Sequence, residues 1–146
     1  MKINSIFMKN YISKRKNLWV FFDEERIFDE VAFLKSLPSN KVAGVVVRTK
    51  NKKTLYKKTK LISKICRMKR YKLVVSSNPQ IAMAVGAYGV HFSRKTKNIR
   101  LFKKLFYSCS YHGFSDKRRA QNLKVKSVFI SPLFKTTSSS KKKPLG

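Results

Sequence analysis

A chain of 146 residues with 35 Lys and Arg against 6 Asp and Glu carries a formal net charge of +29, and 42% of its residues are hydrophobic. That apolar share supplies a core for one domain and excludes a generally disordered chain. No fully apolar run exceeds five residues, as in Leu18 to Phe22, which excludes a membrane span.

The charge attracts polyanions, nucleic acid and acidic membrane surfaces among them, and it equally fits a coat of surface lysines around an ordinary fold. Its distribution is uneven. Five of the six acids are Asp23, Glu24, Glu25, Asp29 and Glu30, and residues 31–115 contain no carboxylate. Hard cations such as Mg²⁺ usually take one or two carboxylates, so this gap bears on metal binding. Cys66 and Cys109 form no CxxC pair, and a reduced, cytoplasmic setting is expected. The N-terminal stretch "MKINSIFMKNYISKRK" lacks the apolar core of a signal peptide, and residues 1–16 read as a basic arm ahead of a domain at 17–146.

Along the chain, short apolar runs alternate with amphipathic ones. "LWVFF" (18–22) reads as a buried strand. "EERIFDEVAFLKSL" (24–37) follows as a helix with Ile27, Val31 and Leu34 on one face, an acidic start that suits the macrodipole, and Pro38 to end it. "VAGVVV" (42–47) is the second strand, and "TLYKKTKLISKICRMKR" (54–70) a helix with Leu55, Ile62, Ile65 and Met68 inward. "YKLVVS" (71–76) is the third strand. In "NPQIAMAVG" (78–86), Asn78 caps a short helix, Pro79 fits its first turn and Gly86 its end. "YGVHFS" (88–93) is the fourth strand, "TKNIRLFKKL" (96–105) a predicted helix, and "FYSCS" (106–110) the fifth strand. Ser115 is placed to cap a helix over 116–124, and "KSVFIS" (126–131) is the sixth strand.

Six strands separated by five helices, the strands apolar on both faces, predict a covered parallel sheet. Two arrangements remain open at this point, a doubly wound sheet and part of a (β/α)₈ barrel. There is no GxGxxG, P-loop, HExxH, Gly-x-Ser-x-Gly or zinc spacing. In a barrel, chemistry sits at the C-terminal ends of the strands. Those ends carry Asp23, then Arg48 and Lys50, then Ser76, Ser77 and Asn78. His91, Ser93 and Arg94 come next, followed by Ser110 and His112, then Ser131, Thr136 and Ser138. Cations and hydroxyls gathered at one rim without carboxylates suit a phosphate-bearing small molecule.

Three stretches carry a more specific signal. They are "GVVVRTK" (44–50), "VVSSNPQIAMAVGAYGVHFSRK" (74–95), and "SVFISPLFKTTSSSKKKPLG" (127–146) preceded by "SYH" (110–112). In order and spacing they resemble the thiamine phosphate synthase family, which includes the TenI-like thiazole tautomerases. The resemblance implies a TIM-type (β/α) barrel. It also implies a transferase of thiamine biosynthesis that joins a pyrimidine pyrophosphate to a thiazole phosphate and releases pyrophosphate, with Mg²⁺ as the family's cofactor. Residue by residue, it places Arg48 and Lys50 on the pyrophosphate and Ser110 near the pyrimidine. It places Thr136 and Ser138 on the thiazole phosphate, and His112 in the position where tautomerase-like members keep an acid/base. Arg94 offers a further cation for the pyrophosphate in place of metal. His91, within the Gly-Val-His strand, reads as structural.

Departures from the pattern are concentrated at the metal. The family's two Mg²⁺-binding Asp positions fall on Ser77 and Thr96, and a hydroxyl supplies no negative charge to a cation. Val46 and Ser139 also replace a usual Gln and Lys. About six of the eight βα units of such a barrel are present, and the last two normally carry phosphate-binding loops. A fragment of a longer product, a degenerate remnant, and an open barrel completed by another chain, such as a homo-oligomer joined at open sheet edges, are all compatible with that count. The alternatives to a synthase are a TenI-like tautomerase or non-catalytic phosphate-ligand binder, and a basic protein that binds nucleic acid non-specifically.

Overall fold

The computed structural model describes residues 16–23, 27, 29–49, 51–96 and 99–134, with Asp23 and Lys52 described by their backbone alone. Lys50, Thr136, Ser138 and most of the basic N-terminal arm lie outside the described residues.

The strands are β1 (Leu18–Asp23), β2 (Val42–Arg48), β3 (Lys72–Ser76), β4 (Gly89–Phe92), β5 (Phe106–Tyr111) and β6 (Ser127–Ile130). Between them lie helices α1 (Glu30–Ser36), α2 (Lys52–Lys69), α3 (Pro79–Ala84) and α4 (Ser115–Asn122). All neighbouring strands pair in parallel, and the strand order is the chain order from β1 to β6. A doubly wound sheet reverses its order at a switch point, and this one does not. The open question from the sequence is thereby decided in favour of the barrel type.

The sheet is curled. Flat, β1 and β6 would lie five strand spacings apart, roughly 24 Å. Instead the ring of Phe129 on β6 lies 5.5 Å from Trp19 and 5.0 Å from Phe21, both on β1. The described residues form an open, six-stranded part of a TIM-type barrel.

Strand register divides the side chains into two sets. Val45, Val47, Leu73, Val75, Val90, Phe92, Tyr107 and Cys109 face the helices and join Leu34, Leu55, Ile62 and Ile65 in one buried apolar cluster. The alternate set faces the concave interior: Trp19, Phe21, Val46, Val74, His91, Ser108, Ser110 and Phe129. Gly44 and Gly89 make room within this second set. A Cβ on Gly44 would sit 2.5 Å from the Trp19 ring, and one on Gly89 would sit 2.2 Å from the Phe106 carbonyl oxygen.

Local chemistry sets the helix ends. The Asp29 carboxylate accepts from the N–H groups of Val31 and Ala32, so α1 starts at Glu30, and Ile27, inside the predicted helix, is not helical. Asn51 caps α2 and Asn78 caps α3 through their side-chain carbonyls. Arg70 closes α2 in the left-handed conformation, at φ +55°.

Three expectations are corrected. The predicted helix at 96–105 is not formed among its described residues. The Tyr107 hydroxyl accepts from the Phe102 N–H at 2.6 Å and donates to the Phe102 carbonyl at 3.2 Å, which satisfies groups a helix would pair internally. Ser115 does not cap α4. There the buried Asp116 carboxylate takes the N–H of His112 at 2.8 Å instead. Met68, expected inward, is 72% exposed.

Candidate functional site

The interior face opens at the C-terminal strand ends, and His91 is its centre. The side chain is 2% exposed, held between the hydroxyls of Ser108 (3.1 Å from Nδ1) and Ser110 (2.9 Å from Nε2). Phe21 and Phe129 meet the ring edge-on at 5.4 and 5.5 Å. Burial drives its pKa down to about 4, aided by the nearby charges of Arg48 and Arg119 and by His112. At neutral pH the imidazole is uncharged, donating from one nitrogen and accepting at the other, with a serine hydroxyl matched to each. Ser110, chosen from the sequence as a site residue, and His91, read there as structural, are thus one hydrogen-bonded unit.

Above this unit, three hydroxyls cluster at the ends of β3 and β4. Ser77 Oγ and Thr96 Oγ1 are 2.7 Å apart, Ser93 Oγ lies 3.1 Å from Thr96 Oγ1, and Ser77 Oγ lies 3.4 Å from Ser93 Oγ. Ser77 holds its place in the left-handed conformation, at φ +52°, by donating its N–H to the His91 carbonyl at 2.9 Å. The two positions chosen from the sequence as replacements for metal carboxylates do meet, but as a neutral, mutually bonded trio.

Three arginines belong to the same end of the sheet. Arg48 ends β2 with an exposed side chain. Arg94 has a 63% exposed side chain, and its Nε lies 3.8 Å from the buried Asp116 carboxylate. Arg119 was not singled out from the sequence. It projects from α4, and its Nη2 donates to the Ser93 carbonyl at the end of β4. Its Nε and Nη1 are shielded from solvent and have no hydrogen-bond partner among the described residues. Buried donors left unpaired are unusual in a folded protein and mark a place where an acceptor fits. Within "SDKRRAQN" nothing in the sequence separates Arg119 from its neighbour Arg118. What distinguishes it is where α4 sits beside β5.

His112 follows β5 with its N–H on Asp116 and its Nδ1 bonded to the Ser131 carbonyl beyond β6. A neutral His112 that donates from Nδ1 keeps Nε2 as its basic nitrogen. Lys50, Thr136 and Ser138 lie outside the described residues, and of the residues chosen from the sequence the structure describes Arg48, Arg94, Ser110 and His112, with Ser77 and Thr96, at the C-terminal ends of the strands.

Over residues 19–146 the sequence matches the family described as thiamine monophosphate synthase. The chain belongs to that family. No individual curated protein matches it significantly. Among solved structures, the thiamine phosphate pyrophosphorylase from Pyrococcus furiosus is similar in fold, with a TM-score of 0.71 at 20% identity. The likeness covers 87% of this chain and 65% of that one, so the chain spans about two thirds of that protein's length.

For a thiamine monophosphate synthase family member, the rim is unusual at the metal. Among the described residues no three His, Cys, Asp or Glu side chains gather to hold an ion. Ser77 and Thr96 are neutral and already bonded to each other. Asp116, buried, is engaged by the His112 N–H and faces Arg94. These groups do not fit Mg²⁺, which favours carboxylate oxygens in octahedral array.

Proposed function

We propose that the chain is a thiamine-phosphate-synthase-type transferase whose rim meets pyrophosphate with guanidinium groups rather than with carboxylate-held metal. What supports this reading is the neutral hydroxyl cluster of Ser77, Ser93 and Thr96, with the Arg119 guanidinium on the Ser93 carbonyl, Arg94 next in sequence and Arg48 at the end of β2; the resemblance assigns Ser77 and Thr96 to the family's Mg²⁺ positions. In the reaction, the bond between the pyrimidine methylene carbon and the pyrophosphate oxygen breaks, and its electron pair leaves with pyrophosphate. The thiazole nitrogen lone pair then forms the new C–N bond. Charge develops on the leaving group, and fixed cations aimed there stabilise it. Arg48, Arg94 and, from its sequence position, Lys50 take this role. The Ser110 hydroxyl, fixed by His91, hydrogen-bonds the pyrimidine, and Thr136 and Ser138 hold the thiazole phosphate.

A second reading is favoured by His112, whose Nδ1–carbonyl bond orients a basic Nε2 at the rim. In a TenI-like tautomerase that nitrogen would move a proton on a thiazole phosphate, with no pyrophosphate leaving.

The deciding experiment measures thiamine phosphate formed from both substrates, with Mg²⁺ and with chelator. The expected result is turnover that chelator changes less than tenfold and that Arg48→Ala lowers at least tenfold. Saturable pyrimidine pyrophosphate binding that requires Mg²⁺ overturns the metal-free rim. If Arg48→Ala and Thr136→Ala both leave phosphate-ligand binding intact, the barrel-site reading is wrong. Tautomerisation without coupling, lost in His112→Ala, selects the second reading.

A further inference from the structure

Helix α2 carries a feature that the rim does not use. Lys53, Lys57, Lys60, Lys64 and Arg67 recur at steps of three and four residues and are all exposed, forming one cationic stripe about 21 Å long. Like charges at these spacings repel, and cations near a helix N-terminus oppose its dipole. The first turn of α2 contains no acid. Among the described residues, the ion pair made by α2 joins Lys58 to Glu30 at 2.7 Å, off the stripe. Beside the stripe, Tyr56 is 42% exposed, with the Lys60 ammonium 5.9 Å from its ring centre. The arrangement weakens the helix locally unless a polyanion lies along it.

The stripe ends at a cavity. Arg67 belongs to both, and the cavity has a volume of about 290 Å³. Ser63, Lys72, Gly86 and Tyr88 also line it, and no carboxylate does. Tyr88 is 40% exposed and rests against Phe106 at 5.1 Å, with the Lys72 ammonium 4.7 Å from its ring centre. Lys72 begins β3 and Tyr88 immediately precedes β4, so the cavity lies at the opposite ends of the strands from His91 and the hydroxyl trio. A track of cations leading to a concave spot with an aromatic ring and one further cation, Lys72, is the pattern that holds single strands: phosphates on the track, an unstacked base in the hollow. A duplex keeps its bases stacked and cannot fill the hollow.

We infer that the outer face of α2, together with the Arg67–Lys72–Tyr88 cavity, binds single-stranded nucleic acid. This surface is separate from the rim, and its test needs no turnover. The probe is oligouridylate of about twelve nucleotides, within the usual range of single-strand site sizes, followed by fluorescence anisotropy across a salt series. Reversing Lys53, Lys57, Lys60 and Lys64 to Glu is expected to weaken binding at least a hundredfold and to lower the salt slope by about 3, at about 0.7 for each phosphate no longer neutralised. The four Lys→Gln changes, which ask less of folding, give the same ranking with a smaller loss. Reversing Lys103, Lys104, Lys117 and Lys126, all exposed elsewhere, is expected to cost less than tenfold. Tyr88→Ala is expected to cost about tenfold with the salt slope unchanged. Equal losses from the two lysine sets overturn the inference and leave a general basic coat. Duplex bound as tightly as the single strand, or an unchanged affinity in Tyr88→Ala, removes the cavity from the site and overturns the single-strand assignment. Tighter binding to vesicles of anionic phospholipid than to the oligonucleotide at equal salt overturns the nucleic acid as partner. Arg48→Ala leaves oligonucleotide binding unchanged, so failure here and failure of the transferase reading are told apart.

Discussion

Strand β4 shows both faces of the sheet within four residues. Val90 and Phe92 join the apolar cluster under the helices, while Gly89 and His91 face the curled interior. On the helix side, contacts are apolar and fully buried, and the strands are held by packing. On the interior side, aromatic edges, serine hydroxyls and a neutral imidazole meet, and two glycines admit neighbours that a Cβ would displace. The first face holds the strands in place, and the second uses their alternate positions to present chemistry.

The largest expected effect tests that division directly. Phe92 is fully buried, and Phe92→Ala removes a ring from the helix-side cluster. Its expected cost is about 4 kcal/mol, from lost transfer energy and the cavity left behind. Phe129→Ala, on the half-buried interior face of β6, is expected to cost about half of that. Urea denaturation of the two variants gives both numbers, and equal costs would show that the interior is packed as a core in its own right.

Almost all of the helix-side architecture was legible in the sequence, because a strand buried on both faces leaves a short apolar run whichever way it points. The segment from Ile99 to Leu105 shows where this fails. Ile99, Phe102 and Leu105 recur at helical spacing and do reach the core, yet non-helical backbone delivers them, with the Phe102 N–H on the Tyr107 hydroxyl and the Phe102 carbonyl shared by that hydroxyl and the Leu105 N–H. Periodicity reports which residues go inward and is silent on the path between them. The site was legible as a list of strand ends, and Ser110, Arg94 and Arg48 came from it. The part that was not legible depends on register and distance. His91 is tied to the candidate site residue Ser110 because two alternate positions of β5, Ser108 and Ser110, fall on either side of it. Likewise Ser115 is itself the first residue of α4 and so does not cap it, while the buried Asp116 carboxylate takes the His112 N–H and ties the end of β5 to the start of α4.

Next in size is a pH effect confined to the interior face. The folded state holds the His91 pKa at about 4, below its ordinary 6.5, so the unfolded chain binds the proton more tightly. Stability contributed by a neutral His91 is therefore complete above pH 6.5 and is lost as pH falls toward 4, to a total of about 3 kcal/mol. Thermal unfolding of the wild type across this window should show the loss, and His91→Gln should flatten that part of the curve. An unchanged slope in the variant would assign the acid sensitivity to other groups.

The smallest expected effect on stability belongs to Arg119, which joins the two faces. It starts on α4, beside β5, and ends on the Ser93 carbonyl at the rim. A guanidinium with two shielded, unpaired nitrogens contributes little net stability, because its desolvation offsets the single bond it makes. Arg119→Met keeps the aliphatic stem and removes the unpaired donors, so its cost is expected to stay within about 1 kcal/mol. If the charge is held there for an anion, the same variant should weaken inorganic pyrophosphate binding about tenfold, read by calorimetry in chelator. A large stability loss with unchanged pyrophosphate binding would make Arg119 a strut between α4 and β4, and the guanidinium rim would then consist of Arg48 and Arg94 alone among the described residues.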